Sequence, residues 1–416
     1  MVGTARFELA TPCTPSKCAT RLRYVPMDTA VEDDSVGFDL TILHHAAGFG
    51  TGSGPAISQT DGDDDHLPMD AFGGTWSLTV ESREAFLAIL ITGGAGYVGS
   101  HAARALRRAG YEVVIYDNLS TGFRQLARGF ELIEGDIADE AKLRPVLERV
   151  DAIMHFAAHA YVGESVGNPR KYFQNNVEAA LSLLNSVLDT GIRRFVFSST
   201  CAVYGIPGRL PITEETPREP VNPYGCSKLF FENALEAYGR AYGLRSMRLR
   251  YFNAAGADES GEIGELHEPE THLIPLSLRA ATANGSALQI YGADYPTPDG
   301  TCVRDYIHVS DLADAHVRAL QYLEAQRDEE ADDSLAVNLG TGRGYSVLEI
   351  IKAVESATGH SVRRTIRTRR PGDPAVLVAD PAKAQRVLGW VAERRLHEIV
   401  SSAWRWMQSA ARCHAA

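Results

Sequence analysis

At 416 residues, 44% of them hydrophobic, the chain can build a large core divided between two or three globular units. A formal charge of −12 argues against a nucleic-acid binder. No apolar run reaches the roughly eighteen residues of a membrane span, and the charged start lacks the apolar stretch of a secretory signal. The six cysteines are scattered and read as free thiols of a reducing cytosol. The thirteen histidines, adjacent His44 and His45 included, form no Cys/His cluster, so no metal site is expected.

Residues 1–86 differ from the rest. They begin rich in Thr, Arg, Pro and Cys and carry Asp61-Gly62-Asp63-Asp64-Asp65 among Gly and Ser, a composition that predicts disorder rather than a packed domain. The run TARFELATPCTPSKCATRLRY is similar to a transfer-RNA gene translated on its opposite strand. The expectation is that the first folded segment, and the true start, lies near Leu87.

The organising stretch is Ala88 to Ser100. Ala88, Ile89, Leu90 and Ile91 suit a strand buried on both faces. Gly93, Gly96 and Gly99 follow at three-residue spacing, and Ser100 to Ala109 reads as an amphipathic helix stopped by Gly110. Such a turn lets a pyrophosphate approach the backbone and meet the helix N-terminus. The next strand, Glu112 to Tyr116, ends in Asp117 about twenty residues on, where a carboxylate would accept from adenosine ribose hydroxyls and repel a 2′-phosphate, favouring NAD over NADP. Phe130 to Glu134 is a third strand, leading to Asp136 at an adenine edge. A helix over Lys142 to Arg149 then returns to the strand Ala152 to Phe156. The alternation predicts an α/β fold with a doubly wound parallel sheet. Phe156, Ala157 and Ala158 stand at a strand's carboxyl end, where small residues leave room for a nicotinamide ribose.

Lys171 to Leu188 reads as one long helix whose Asn176 can reach the cleft. Arg194 to Ser199 is a strand ending in Ser198-Ser199-Thr200, hydroxyls suited to a substrate oxygen. Tyr224 and Lys228 then lie one turn apart on one face of a helix, a phenol with a cation to favour its ionised form. Beyond Tyr251-Phe252-Asn253 the rhythm loosens into a smaller domain. There Thr271-His272-Leu273-Ile274-Pro275 opens a helix whose N-terminus can meet a phosphate, and Leu288 to Tyr291 forms a short strand. Arg304 and Arg370 are forked donors for a diphosphate, and Asp373 is an acceptor for a nucleotide ribose. A helix over Asp311 to Glu324 and a strand over Leu335 to Leu339 return to the main sheet. The expected division is a Rossmann domain over residues 87–252, rejoined by about 305–340, and a discontinuous substrate domain over 253–304 and 341–416.

Together GGAGYVGS, HFAA with VGES, SSTCAVYG, NPYGCSK, RYFNAAGA, DGTCVRDYIHV, NLGTG and RRPGD resemble the extended short-chain dehydrogenase/reductases, and within them the UDP-glucose 4-epimerases, from about Ala88 to the last helix. The resemblance implies NAD held by Gly93, Gly96, Tyr97, Val98, Gly99, Asp117, Asn118, Asp136, Ile137, Phe156, Ala157, Ala158, Asn176, Ser198, Tyr224, Lys228 and Phe252. It makes Tyr224 the base, Lys228 the group that orients the ribose and lowers the phenol pKa, and Thr200 the partner of the sugar 4-oxygen. Asn253, His272, Leu273, Tyr291 against uracil, Arg304, Arg370 and Asp373 would complete a UDP-sugar site. The implied reaction inverts C4 of UDP-glucose or UDP-galactose through a 4-keto sugar, in a cytoplasmic homodimer.

Alternatives are a UDP-xylose/UDP-arabinose 4-epimerase, a nucleotide-sugar 4,6-dehydratase and a non-catalytic NAD-sensing module. Cys201 and Ala202 after Thr200 depart from the dehydratase Asp-Glu, and a sensing module would not need Thr200, Tyr224 and Lys228. Ala160 stands where hexose enzymes carry Lys, and Leu377 where the family's gatekeeper for N-acetyl groups falls.

Overall fold

The computed structural model describes residues 87–283, 285–326, 334–370 and 372–415, with side chains to 409. The readings made for residues 1–86 lie outside the described residues. Six strands alternate with helices to open the fold: β1 (Ala88–Thr92), β2 (Glu112–Asp117), β3 (Glu131–Glu134), β4 (Ala152–His155), β5 (Arg194–Thr200) and β6 (Arg245–Tyr251). Between them run α1 (Tyr97–Arg108), α2 (Glu140–Leu147), α3 (Val162–Gly167), α4 (Pro169–Phe173), α5 (Ala180–Asp189) and α6 (Pro223–Tyr242).

The chain then makes β7 (Asn253–Ala255), α7 (Leu273–Ala281), β8 (Leu288–Tyr291), β9 (Val303–His308) and α8 (Val309–Ala325). It returns with β10 (Ser334–Leu339) before β11 (Gly344–Ser346), α9 (Val347–Thr358), β12 (Arg364–Arg367), β13 (Val376–Leu377), α10 (Ala382–Leu388) and α11 (Leu396–Ala415).

The main sheet is parallel throughout, in the order β10-β6-β5-β4-β1-β2-β3. Its central strand explains the layering. Ile89 and Ile91 pack with Leu106 of α1 and with Leu312 and Leu320 of α8, whereas Leu90 packs with Leu143, Leu183 and Phe231 of the opposite layer. All three are fully buried, as period-two alternation demands of a strand covered on both faces. From β1 the strand order runs outward in both directions, and this reversal opens a crevice beyond the carboxyl ends of β1 and β4.

The smaller lobe has its own core, in which Ile274 and Leu278 of α7 meet Ile350 and Val354 of α9 and Ile399 of α11. Strands β11, β9 and β13 form its sheet, with β7 also paired to β9. No helix among the described residues is long and apolar enough to cross a membrane, and Cys201, Cys226 and Cys302 are free thiols.

One expected helix is not uniform. The run from Pro169 to Asp189 holds a π-helical stretch, Gln174–Ala179, between α4 and α5. No Pro or Gly announces it, and it carries Asn176, whose side chain is bonded to residues of other elements.

Candidate active site

The crevice begins at the glycine turn. Gly93 has φ +75°, and a Cβ there would stand 2.4 Å from the Ala157 nitrogen; one on Gly99 would stand 2.3 Å from the Gly93 oxygen. These two glycines serve the fold itself, closing β1 onto β4 and α1 onto the turn. A Cβ on Gly96 would meet only the Gly93 oxygen, at 3.3 Å. That side of the turn is therefore open to a close-approaching group, as a dinucleotide pyrophosphate requires.

At the end of β2, Asp117 is buried. Its Oδ2 accepts from Ala95 N at 2.9 Å and its Oδ1 from Leu119 N at 2.8 Å. Burial raises its pKa against those bonds, and each oxygen keeps a further lone pair for a ribose hydroxyl. Asn118 Nδ2 donates to Asp136 Oδ2 at 2.9 Å, which joins two of the residues expected at the adenosine end. Ile137 is buried beneath them. The residues present fit NAD.

Across the crevice, β5 ends in Ser198, Ser199 and Thr200, and a short 3-10 turn, Cys201–Tyr204, carries the chain away. Helix α6 starts against that turn. Asn222 caps it by accepting from Gly225 N at 2.9 Å, and Pro223 occupies the first turn. A Cβ on Gly225 would stand 2.6 Å from the Ala202 oxygen, so only glycine lets α6 bring Tyr224 so near Thr200.

Tyr224 is buried, with the Thr200 side chain close enough to favour its ionised form. Lys228 is buried one turn on. Its Nζ donates to the Ser198 carbonyl at 2.8 Å and lies 4.8 Å over the Phe197 ring. Burial raises the Tyr224 pKa above its ordinary value, Tyr251 adds to the rise, and Thr200 opposes it. Lys228 is itself lowered to about 7 by burial, with Glu232 opposing.

In the smaller lobe, Arg304 and Asp373, 69 residues apart, form an ion pair with Nη2 2.5 Å from Oδ1. The Arg370 guanidinium lies 4.1 Å over the Tyr291 ring, the face expected to meet uracil. The four residues therefore form two contacts, Arg304 with Asp373 and Arg370 with Tyr291. Asn253 opens β7 opposite Tyr306. Phe252 is packed into a small cluster with Val203, Tyr204, Ile212 and Ala379, to whose edge Leu377 and Cys201 attach. Leu377 therefore packs against the same cluster as the turn that follows Thr200.

The profile of the "NAD dependent epimerase/dehydratase family" matches residues 89–340. The chain belongs to that family. It is 50% identical over 320 residues to a UDP-glucose 4-epimerase of Rhizobium meliloti (strain 1021), a match covering 76% of this chain and 96% of that one. The structure of UDP-glucose 4-epimerase from Brucella ovis in complex with NAD is similar at a TM-score of 0.73 and 51% identity, covering 76% of this chain and 97% of that one. The UDP-glucose 4-epimerase from Stenotrophomonas maltophila with bound NAD and formylated UDP-arabinopyranose has a TM-score of 0.75 and 40% identity, covering 79% and 99%.

Within this family member, Asn176 was expected at the cleft, but the contacts it and several supporting residues make carried no local sequence signal. Asn176 is buried and accepts from His159 N at 2.9 Å while donating to His159 O at 3.0 Å and to Ser227 Oγ at 3.1 Å. It positions the loop after β4 against α6 through protein contacts. The Tyr251 hydroxyl bonds to Ser198 Oγ. Ser199 Oγ donates to Glu232 Oε1 at 2.5 Å, Arg250 clasps the same carboxylate, and Arg250 Nη1 donates to the Tyr204 hydroxyl at 2.9 Å. Buried arginines at Arg248 and Arg250, two apart in a central strand, were the one available clue.

At the start of α7, Thr271 N and His272 N, just ahead of the first helical residue Leu273, donate to Glu270 Oε1 at 2.7 and 2.8 Å. Glu265, His267, Glu270 and His272 converge there, a cluster that His/Cys spacing does not capture because two of its members are carboxylates.

Proposed function

We propose that the chain inverts C4 of a UDP-hexose, interconverting UDP-glucose and UDP-galactose with tightly held NAD. The observation that carries the reading is buried Tyr224 beside Thr200 at the carboxyl end of β5, with Lys228 one turn behind, in the same parallel sheet whose β1 runs into the glycine turn. A base and a hydroxyl partner for the sugar oxygen thus stand together at the strand ends where a dinucleotide crevice forms. Bound NAD supplies the hydride acceptor and later donor for C4, together with the positive charge that a buried phenol needs in order to ionise. Tyr224 takes the proton of the 4-hydroxyl and returns it after the sugar has presented its opposite face. Thr200 holds the 4-oxygen, and Lys228 is fixed by Ser198 for the ribose. There is no net redox change, so turnover needs no added cofactor.

Arg304 and Arg370 grip the diphosphate, with Asp373 on the ribose and Tyr291 against the base. The Arg304–Asp373 and Arg370–Tyr291 contacts support this by joining the four residues two by two. A UDP-pentose is the second reading, favoured by Ala160, which leaves the loop after β4 without a cationic contact. Exposed Val162, Val166, Phe173, Phe230 and Tyr242 on α3, α4 and α6 support a homodimer through these helices.

The test is to offer the purified protein UDP-galactose, UDP-glucose, their N-acetyl forms and UDP-xylose without added NAD, and to resolve the products. Interconversion of the hexose pair carries the reading. Conversion of the pentose alone replaces it with the second reading, and no conversion removes both.

A further inference from the structure

The segment between β7 and α7 reads Glu265-Leu266-His267-Glu268-Pro269-Glu270-Thr271-His272 and folds so that four side chains face a common centre. Glu265, His267, Glu270 and His272 each offer one donor atom, and these atoms lie within 4.8 Å of one another. The geometry points to a closed, structural site for a divalent transition metal of the zinc class, made by these four residues and separate from the chemistry proposed for Tyr224.

Charge comes first. The Glu265 and Glu270 side chains are only 4% and 1% exposed, and two buried carboxylates facing each other need two positive charges. The quartet meets that need either with a proton on each imidazole or with one dication between neutral imidazoles. The two arrangements carry the same net charge, so exchanging protons for metal leaves the surrounding electrostatics unchanged.

Fit comes second. His272 Nδ1 lies 2.9 Å from both Glu265 Oε1 and Glu270 Oε1. His267 Nδ1 is buried but reaches Glu265 and Glu270 only at 3.4 and 3.6 Å, too long for a good hydrogen bond. A proton at His267 is poorly used there, whereas a shared central atom would use the nitrogen fully. Four donors around zinc stand roughly 3.3–3.6 Å apart for bonds of about 2.0–2.2 Å, so closure asks the wider pairs to draw in by up to about 1.5 Å and the two 2.9 Å contacts to open by about half an ångström. Two imidazoles with two carboxylates suit zinc and its neighbours rather than calcium or magnesium, which prefer all-oxygen shells.

The supports are already in place. The backbone N–H groups of Thr271 and His272 orient the Glu270 carboxylate. The rings of Tyr97 and Tyr161 stand 6.0 Å from the His267 ring, so the start of α1 and the loop after β4 wall the site. A metal there would pin the entry to α7 against the glycine-turn helix.

The test uses the full chain, stripped with a chelator and dialysed against zinc. Expected are one zinc per chain, bound more tightly than about 1 µM, a thermal midpoint raised by zinc, and intense visible bands of a four-coordinate ion when cobalt(II) replaces zinc. His267→Ala, which leaves the Glu270 contacts to the α7 backbone untouched, should weaken zinc binding at least about 100-fold and abolish the midpoint shift. Its unchanged far-UV circular dichroism and retained NAD would show that it is folded. A wild-type chain that takes up no stoichiometric zinc overturns the proposal. So does the pale spectrum of six-coordinate cobalt, or a His267→Ala chain that binds zinc as tightly as wild type.

Discussion

Arg304 Nη2 stands 2.5 Å from Asp373 Oδ1, joining β9 to the loop before β13 across 69 residues of sequence. The arginine side chain is 11% exposed and its partner 26%, so the pair is partly desolvated. The planar fork can hold Asp373 with one nitrogen and turn others toward a phosphate, whereas a lysine ammonium cannot do both in a fixed plane. Arg304→Lys should therefore raise KM for the UDP-sugar about 10- to 100-fold with a smaller change in kcat, read from initial rates. Equal losses in both constants would place Arg304 at the chemical step instead.

Tyr224→Phe keeps the ring packing and removes the proton carrier. Turnover should fall by at least about 10³-fold, within the range of general acid–base contributions, while the purified variant still retains NAD measured by absorbance after denaturation. Thr200→Val should cost roughly 10- to 100-fold. A Phe variant within tenfold of wild type would refute the assignment of the base.

Lys228 gives a pH signature with a definite sign. Its folded pKa is lowered to about 7 from the ordinary 10.5, so between those values the unfolded chain binds the extra proton. The lysine's unfavourable burial is fully felt below pH 7 and is relieved as pH rises toward 10.5. Wild-type unfolding free energy should thus rise relative to Lys228→Met across that window, by at most about 1.4 kcal/mol per pH unit. Parallel urea titrations at pH 6.5, 8 and 9.5 check it, and parallel curves would refute it.

The buried clasp of Glu232 and Arg250 predicts a strong asymmetry. Glu232→Ala strands a buried guanidinium and should destabilise by about 3–5 kcal/mol, whereas replacing both residues with apolar side chains of similar volume should recover most of the loss. Chemical denaturation of the single and double variants measures both.

Asn176→Ala would leave His159 N and O and Ser227 without their shared partner, at a cost of about 2 kcal/mol or more. The π stretch should relax toward regular helix, which hydrogen exchange across Gln174–Ala179 would report.

Much of this architecture was legible in the sequence because a strand covered on both faces must be apolar almost throughout, as Ala88 to Ile91 is, and because glycine spacing and a carboxylate about twenty residues on answer to one ligand shape. Tyr224 and Lys228 were legible because helical periodicity fixes their neighbourhood locally. The Arg304–Asp373 pair, the Ser199–Glu232–Arg250 chain and the Glu265–His272 quartet were not. Their geometry depends on how the chain folds back on itself, and nothing in the local pattern reports it. The Asn176 contacts were hidden for the same reason, since they end on His159 and Ser227. The phenol's raised pKa was hidden too, because a spacing of four residues shows that a cation is near but not how much water has been removed.

The return of β10 to the edge of the main sheet beside β6 has a consequence for how the molecule is made. During synthesis β6 emerges about eighty residues before the strand that will shield its flank. Until then a nascent sheet edge offers unpaired amides to any extended neighbour. A ribosome-released fragment ending near residue 304 would keep that edge bare, and it should aggregate where the finished chain does not.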